Sequence, residues 1–549
     1  MPSFAIAVPI AIPLVASGLI TGLGLARINL GRIGAGAAAW GSVLAITAIW
    51  VSVRATQELS LGPLGFGSSL DLRVDAVGFA FALIVGVPSA LLLTLQPRAW
   101  QESTLALLGL AAAMAAIESG SVVLTALAGG TAATLGLVHL DAEDPRAARP
   151  RWSVMLAAWL ALSWAGVILQ ARAGTAVYAA VPVANLTVPV FALLAGAALG
   201  ASGLFPWRSW PAQIWARPSL RAAGIAVATV YPLGFYLLLR AYEMGDGRYP
   251  PAPGAILAIV GVAVATGAAF RAQLATNRRE FLAEVIPGFG GFALMSIALG
   301  TPLGIVAALV TLAAASALIA CLALLPDRAG LASLLAIAAA VGLPPGFAFG
   351  ARVLGIEAAF EGGDSVGLIG LAGAAAWAVW MVAGARAIGL PAGRGHATAE
   401  TFPRVAAGIA VVTLAGGPGL AAFQTAFASP AQAEVMTTNA SAVSGGVTSV
   451  VAVSTVLPAL TLFIPLVVVG VLVYGLAGIT LVRGQARPTL FNVPGTAAAA
   501  QVRAAIRASS VPDQYRSILS LRSLEKAAAG GHPALWIATL AALVFAVTR

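Results

Sequence analysis

The chain has 549 residues, of which 60% are hydrophobic and only 9% charged, with a mean hydropathy of +0.95. Soluble globular domains carry about 25% charged residues, so this composition excludes an ordinary soluble protein and predicts a membrane protein with many spans. The single cysteine, Cys321, excludes a disulfide scaffold, and the net charge of +10 is spread between apolar runs rather than gathered on a nucleic-acid-binding face.

Taking about 17 to 25 apolar residues per span, the sequence predicts an all-α polytopic fold with about sixteen transmembrane helices. The predicted spans are 4–26, 33–53, 76–96, 103–118, 120–140, 152–172, 186–205, 219–241, 253–275, 281–300, 302–325, 329–350, 365–388, 403–427, 456–482 and 532–548. Charged residues never gather between them into a stretch long enough to form a separate soluble domain.

Three segments between the spans have patterns of their own. Residues 54–75 alternate around Gly-Pro and Gly-Ser turn signals, which predicts a short hairpin on the outer face. Residues 428–455 are rich in Ser, Thr, Ala and Gly and are typical of an outer-face loop. Residues 483–531 place apolar side chains at helical spacing beside arginines, which predicts an amphipathic lateral segment on the cytoplasmic surface, with a disordered basic linker as the alternative.

The distribution of arginine predicts the orientation. If the N-terminus faces outside, about three quarters of the basic residues fall in cytoplasmic loops, as the positive-inside rule requires. A span missed or invented in mid-chain would destroy this asymmetry, so it supports both the number of spans and the placement of both termini on the outer side. The sequence thus predicts a multi-pass protein of the bacterial cytoplasmic membrane.

Five stretches in chain order resemble motifs of one family. Residues 72–79 (LRVDAVGF), 203–210 (GLFPWRSW), 218–240, 274–283 (LATNRREFLA) and 342–347 (GLPPGF) are similar to motifs of the proton-conducting, antiporter-like subunits of respiratory complex I, Mrp antiporters and energy-converting membrane hydrogenases. The resemblance is carried by residues 70–390. The flanks share only the architecture.

The resemblance implies a fourteen-helix core with two inverted five-helix repeats, each containing a broken helix. It divides the chain into N-terminal helices (1–102), a first repeat (103–241), a second repeat (253–388), C-terminal core helices (389–482), the lateral segment (483–531) and a final anchor (532–549). Some family members carry this same lateral helix and last anchoring span.

The family's proton path is missing from the sequence. Family members place a glutamate on the fifth helix, a lysine on the seventh, a lysine or histidine on the eighth, and a lysine or glutamate on the twelfth. The matching positions here are Gly130, Ala201, Ala226 and Gly350. None of these side chains can carry a proton, and the only lysine of the chain is Lys526.

The remaining ionisable candidates for a displaced path are few; they are Glu284, Arg279, Arg352, Glu357, Arg386 and His139. Glu284 is either a protonatable group within the second repeat or a carboxylate paired with Arg279 near the cytoplasmic interface. Arg352 and Glu357 are either a substitute charged pair or an interface salt bridge, and arginine does not release its proton at useful pH.

These features lead to three hypotheses. The first is an antiporter-like membrane subunit of a complex I-related proton-translocating assembly (NADH:quinone oxidoreductase or membrane hydrogenase type), with either a mainly structural role or a rerouted path. The second is the membrane partner of an inorganic-carbon uptake system or a stand-alone ion/proton antiporter, and the third is a pure scaffold. No cofactor or metal site is expected in this chain, and the expected partners are other membrane and redox subunits.

Overall fold

In the computed structural model, residues 3–65, 68–96, 99–143, 152–204, 210–215, 220–325, 330–361, 364–391 and 402–436 are described. The predicted spans 456–482 and 532–548, the lateral segment 483–531 and most of the predicted loop 428–455 lie outside these residues. The count of sixteen spans therefore stays a prediction.

The first part of the chain forms long helices interrupted by one hairpin. These elements are α1 (Val8–Leu25), α2 (Gly31–Val53), β1 (Gln57–Gly65), β2 (Ser68–Val74), α3 (Ala76–Leu95), α4 (Trp100–Ile117), α5 (Val122–Glu143), α6 (Trp152–Ala173), α7 (Val188–Ser202), α8 (Trp210–Trp215) and α9 (Arg221–Met244). The strands β1 and β2 pair antiparallel, with Glu58 opposite Arg73, so the hairpin predicted over 54–75 is confirmed.

The second part has the same character but more interruptions. Its helices are α10 (Pro251–Gln273), α11 (Arg278–Ala283), α12 (Val285–Ala298), α13 (Pro302–Leu324), α14 (Leu331–Val341), α15 (Phe347–Glu361), α16 (Asp364–Ile388), α17 (Pro403–Ala415), α18 (Leu420–Phe423) and α19 (Ser429–Val435). Within the described residues, eleven helical segments are long and apolar enough to cross a membrane, and a bent pair formed by Pro403–Ala415 and Leu420–Val435 makes a twelfth if it is counted as one span.

Three sequence predictions need correction. The span predicted as one helix over 329–350 is two helices, α14 and α15, and the second continues to Glu361. The span predicted over 403–427 bends by 89° after Ala415. Part of the predicted loop 428–455 is helical, because α19 covers Ser429–Val435. Composition and hydropathy contain no information on where a helix breaks or where a short helix begins.

Small residues let the helices approach closely. A Cβ atom at Gly261 of α10 would lie 2.4 Å from the Met295 nitrogen of α12, and one at Gly291 would lie 2.4 Å from the Ala265 nitrogen. Apolar surfaces gain little from burial against each other in lipid, so close backbone packing of this kind is what holds membrane helices together. The helix α9 is buried at nearly every position and lies at the centre of the described bundle.

The bundle has two ends. The hairpin end carries β1 and β2, the start of α3, the end of α4 and the end of α9. The opposite end carries the end of α10, the start of α11 and the end of α16. The charged side chains discussed below lie at these two ends and at the break between α14 and α15.

Candidate functional site

The four positions that the resemblance matches to charged residues of the family are buried or lie beside neighbouring side chains. Gly130 on α5 lies beside Trp159 of α6, since a Cβ atom there would be 3.5 Å from the Trp159 Cβ. Ala201 on α7 and Ala226 on α9 are buried. A Cβ atom at Gly350 on α15 would lie 2.5 Å from a Leu420 methyl carbon. The absence of the usual titratable axis stays a prediction of the sequence.

Two of the described helices, α7 and α14, are each interrupted at a glycine. The helix α7 ends at Gly203, with φ of 62°, and α14 ends at Gly342, with φ of 73°. Both glycines adopt the left-handed conformation that commonly terminates helices, which a side chain would strain. The interruptions leave carbonyl groups at the ends of α7 and α14 without intrahelical partners.

At the second break, Arg352 of α15 supplies hydrogen bonds to these carbonyls. Its guanidinium donates to the carbonyl of Val341 and, at 2.9 Å, to that of Ala340. The guanidinium carbon also lies 4.9 Å from the Phe292 ring centroid and 5.3 Å from that of Phe289. A cation at a helix C-terminus is favoured by the helix dipole, and aromatic faces attract it further.

The predicted pair of Arg352 and Glu357 is not formed. Arg352 makes no ion pair among the described residues, and its hydrogen bonds go to the two carbonyls of α14. Residues five apart on a helix do not share a face, whereas those three or four apart do. Both the substitute-pair and the salt-bridge interpretations of these two residues are therefore wrong.

Glu284 pairs with a residue that the sequence did not suggest. It lies at the bend between α11 and α12, and its carboxylate accepts from the Arg271 Nε at 2.9 Å. The predicted partner, Arg279, instead directs its Nε toward the Trp215 carbonyl, 3.5 Å away. Glu284 is thus a carboxylate in an ion pair at the opposite end, and the alternative pairing with Arg279 is wrong.

Two other arginines at the opposite end bind helix C-termini. Arg386 of α16 donates to the carbonyls of Gln273 and Ala275 at the end of α10. Arg278 of α11 donates to the Ile388 carbonyl at the end of α16, at 2.6 Å. Both contacts satisfy carbonyls that helices leave unpaired, so these arginines join α10, α11 and α16. His139, the last candidate, is buried on α5.

A larger group of charges, which sequence reasoning missed, lies at the hairpin end. We call this group the hairpin-end cluster; it comprises Arg73, Asp75, Arg240, Glu243 and Glu434. Asp75 is fully buried and accepts from Arg240 Nη1 at 2.6 Å and Nη2 at 2.9 Å, while Arg73 Nε lies 3.0 Å from it. Arg240 also reaches Glu243 at 2.8 Å, and Arg73 bonds Glu243 and, at 2.9 Å, Glu434.

Local structure places the centre of this cluster. Asp75 follows β2 in extended conformation and caps α3 by accepting from the Gly78 nitrogen at 2.7 Å. Burial on its own would raise the pKa of Asp75, but Arg240, Arg73 and the Gly78 N–H together lower it below its usual value. Arg240 also donates to the Tyr236 hydroxyl at 2.9 Å, which itself donates to the Ile117 carbonyl at 2.7 Å.

The sequence held a weak signal for the cluster. Arg73, Asp75 and Arg240 all lie within the quoted family motifs, but the sequence assigned them no role. Charged residues at the ends of apolar runs are usually attributed to the membrane interface. Arg240 and Glu243 are three residues apart on one helix, which is a detectable pair, but nothing local connects them with Glu434.

Comparisons with known proteins address the fold. No protein-family model and no curated protein matches this chain. Among solved structures, a chain of the Mrp complex from Dietzia sp. DQ12-45-1b is similar, with a TM-score of 0.69 and 20% identity, over 96% of this chain and 62% of that one. This chain thus spans less than two thirds of the Mrp chain's length.

Two further solved structures are similar. A chain of the membrane-bound sulfane sulfur reductase, an archaeal respiratory membrane complex, has a TM-score of 0.65 and 19% identity over 77% of this chain and 78% of that one. A chain of respiratory complex I from Thermus thermophilus has a TM-score of 0.64 and 20% identity, over 79% of this chain and 98% of that one. At the level of fold the comparisons agree with the resemblance inferred from the motifs: this chain has the fold of chains found in an Mrp complex, a membrane-bound sulfane sulfur reductase and respiratory complex I.

Proposed function

We propose that this chain is an antiporter-like subunit of a multi-subunit, complex I-related membrane assembly, and that it serves a structural role without conducting protons through its centre. The shared fold supports the assignment, because the similar chains come from an Mrp complex, a respiratory membrane complex and complex I. The partners are other membrane subunits. The hairpin end faces the outer side of a bacterial cytoplasmic membrane, as the arginine asymmetry indicates.

The environment of Arg352 is the observation that most strongly supports a structural role. Proton transfer through a bundle needs side chains that bind and release protons in turn. Arginine does not release its proton at useful pH, and the Arg352 guanidinium is held by two carbonyls of α14, with its carbon 5.3 Å from the Phe289 ring centroid and 4.9 Å from that of Phe292. A fixed positive charge at the break also repels cations that approach it.

The rest of the central helices supports the same conclusion. Beside Gly130 lies the Trp159 side chain, and beside Gly350 lies Leu420. The Ala201 carbonyl accepts from the Trp210 indole at 3.2 Å. On α9, Thr229 bonds the Ile225 carbonyl of its own helix, at 2.8 Å, rather than extending a chain of polar groups. The first three contacts lie between different helices, and the Thr229 bond stays within α9.

The first test is co-purification. The full chain, tagged and extracted in a mild detergent from its native membrane, should elute with other membrane subunits in one stable complex. Elution as a single chain would contradict membership of an assembly. Mass spectrometry of the co-eluting bands identifies the partners and distinguishes redox subunits from the soluble partner of a carbon-uptake system.

The second test is transport. Everted vesicles containing the chain alone, in a host that lacks its own antiporters, should show no sodium- or potassium-dependent proton exchange above vesicles without it. A cation-dependent change in internal pH that is abolished by Glu284→Gln would overturn the structural role and favour a stand-alone antiporter. Wild-type and variant chains must be present at equal amounts, measured by the tag.

A further inference from the structure

Glu118 is an unusual carboxyl group that the proposed function does not use. It ends α4 at the hairpin end, between the candidate spans Trp100–Ile117 and Val122–Ala142. The residue is fully buried, and neither of its carboxyl oxygens has a hydrogen-bond partner within the part of the chain that the structure describes. Buried carboxyl groups are nearly always paired, so this one requires a physical explanation.

The backbone around Glu118 is tightly fixed. Its carbonyl accepts from the Arg73 nitrogen at 2.6 Å, and the next residues pair with Leu72 and, through Gly120, with Asp71. The Ile117 and Ser119 carbonyls accept from the Tyr236 hydroxyl at 2.7 and 3.3 Å. The segment thus bridges the hairpin and α9, and the Glu118 side chain is fully buried at this position.

The charged groups nearby are already engaged with one another. On the elements around Glu118 the titratable and charged side chains are Asp71 and Arg73 of β2, Asp75 at the start of α3, Tyr178, and Tyr236 and Arg240 of α9. Arg73 and Arg240 bond to Asp75 and Glu243, Tyr236 bonds to backbone carbonyls, Tyr178 bonds to Thr125, and Asp71 bonds to Ser69. None of them pairs with the Glu118 carboxyl group.

An ionised carboxylate without a partner in such surroundings is far more costly than a neutral carboxylic acid. We propose that Glu118 is a proton-binding site that holds its proton at neutral pH, and that the packing of the hairpin end depends on that proton. Loss of the proton places a lone negative charge between α4, the hairpin and α9, where it destabilises the bonds that join them. The other buried carboxylate of this end, Asp75, is ionised because two arginines compensate its charge.

The direct test is infrared spectroscopy of the full-length chain in lipid nanodiscs. At pH 7 the wild type should show the C=O stretching band of a protonated carboxylic acid that is absent in Glu118→Gln. The matched control is Glu102→Gln, which removes a partly exposed carboxyl group from the first turn of the same helix and should leave the band unchanged. Absence of any Glu118-dependent band at pH 7 would show that this residue is ionised and would overturn the proposal.

Thermal denaturation provides a second test that does not depend on resolving the infrared bands of different carboxyl groups. The Tm of Glu118→Gln relative to wild type should increase steadily between pH 5 and pH 8, because the variant has no proton to lose. Glu102→Gln should show no such trend. A constant difference between Glu118→Gln and wild type over this range would contradict the dependence of the hairpin end on this proton, even if both chains fold.

Discussion

Removing the negative charge of Asp75 should strongly destabilise the bundle. The substitution Asp75→Asn keeps the shape of the side chain and its capacity to cap α3, since asparagine is as good an N-cap as aspartate. The substitution therefore tests the effect of the negative charge alone. Arg240 would lose its two-pronged contact with the carboxylate, at 2.6 and 2.9 Å, and Arg73 would lose its contact at 3.0 Å.

The size of the expected stability loss follows from the burial of the charged pair. Asp75 and Arg240 are both fully buried, and breaking a buried pair by removing one partner typically costs about 3–5 kcal/mol. Arg240 and Arg73 both keep Glu243 as a partner, so part of their charge stays compensated. We therefore expect the free energy of unfolding to fall by about 3 kcal/mol, at the lower end of that range.

The assay is thermal denaturation in detergent, followed by tryptophan fluorescence at pH 7. The matched control is Asp246→Asn, an exposed aspartate at the same end of the bundle that has a positive φ of 53°. Asparagine tolerates this conformation, so the control should leave Tm nearly unchanged. A double-mutant cycle with Arg240→Gln would measure the coupling between the two buried charges.

The pH dependence of the Tm difference between wild type and Asp75→Asn tests this prediction further. Because the pKa of Asp75 is lowered in the folded chain, its stabilising contribution is present above the unfolded pKa of about 3.9 and is lost as pH falls through the folded value. The gap in Tm between wild type and Asp75→Asn should therefore narrow in acid. The reasoning is refuted if, at pH 7, the Tm difference between wild type and Asp75→Asn is no larger than that between wild type and Asp246→Asn. It is also refuted if the Tm difference for Asp75→Asn widens in acid.

Three further predictions concern other residues. Arg352→Gln should lower the free energy of unfolding by about 1.5–3 kcal/mol, because the charge-assisted hydrogen bonds to the end of α14 are lost. Arg352→Lys should recover part of this loss. Equal Tm values for Arg352→Gln and wild type would contradict the role assigned to Arg352. Glu284→Gln should cost about 1 kcal/mol, because it removes the 2.9 Å ion pair with the partly exposed Arg271. Proton flux in proteoliposomes of the purified assembly should be unchanged, and a lower flux would indicate a surviving path. Burial raises the pKa of Glu118, so its contribution to stability is full below about pH 4.3 and is lost as pH rises toward the folded value. The stability of Glu118→Gln relative to wild type should therefore rise between pH 5 and pH 8 in denaturation experiments, and a relative stability that falls over this range would contradict a buried neutral acid.

The sequence by itself determined the class of protein and the positions of most helices. An apolar run of about 20 residues without charges must form a helix in lipid, because no water is available to bond its backbone. The predicted spans 76–96 and 302–325 correspond to α3 (Ala76–Leu95) and α13 (Pro302–Leu324), within a residue or two at each end. That Gly130 and Gly350 cannot carry a proton was also readable from the sequence, since it depends only on residue type.

The tertiary structure decided which charges meet. Glu284 bonds Arg271 rather than Arg279, because the bend at Glu284 turns its carboxylate toward the end of α10. Asp75 and Arg240 are separated by 165 residues, and their contact exists because α3 and α9 pack together. In a bundle whose helices are apolar on nearly all sides, periodicity does not indicate which face meets which neighbour, so pairings between distant helices are fixed only by the packing itself.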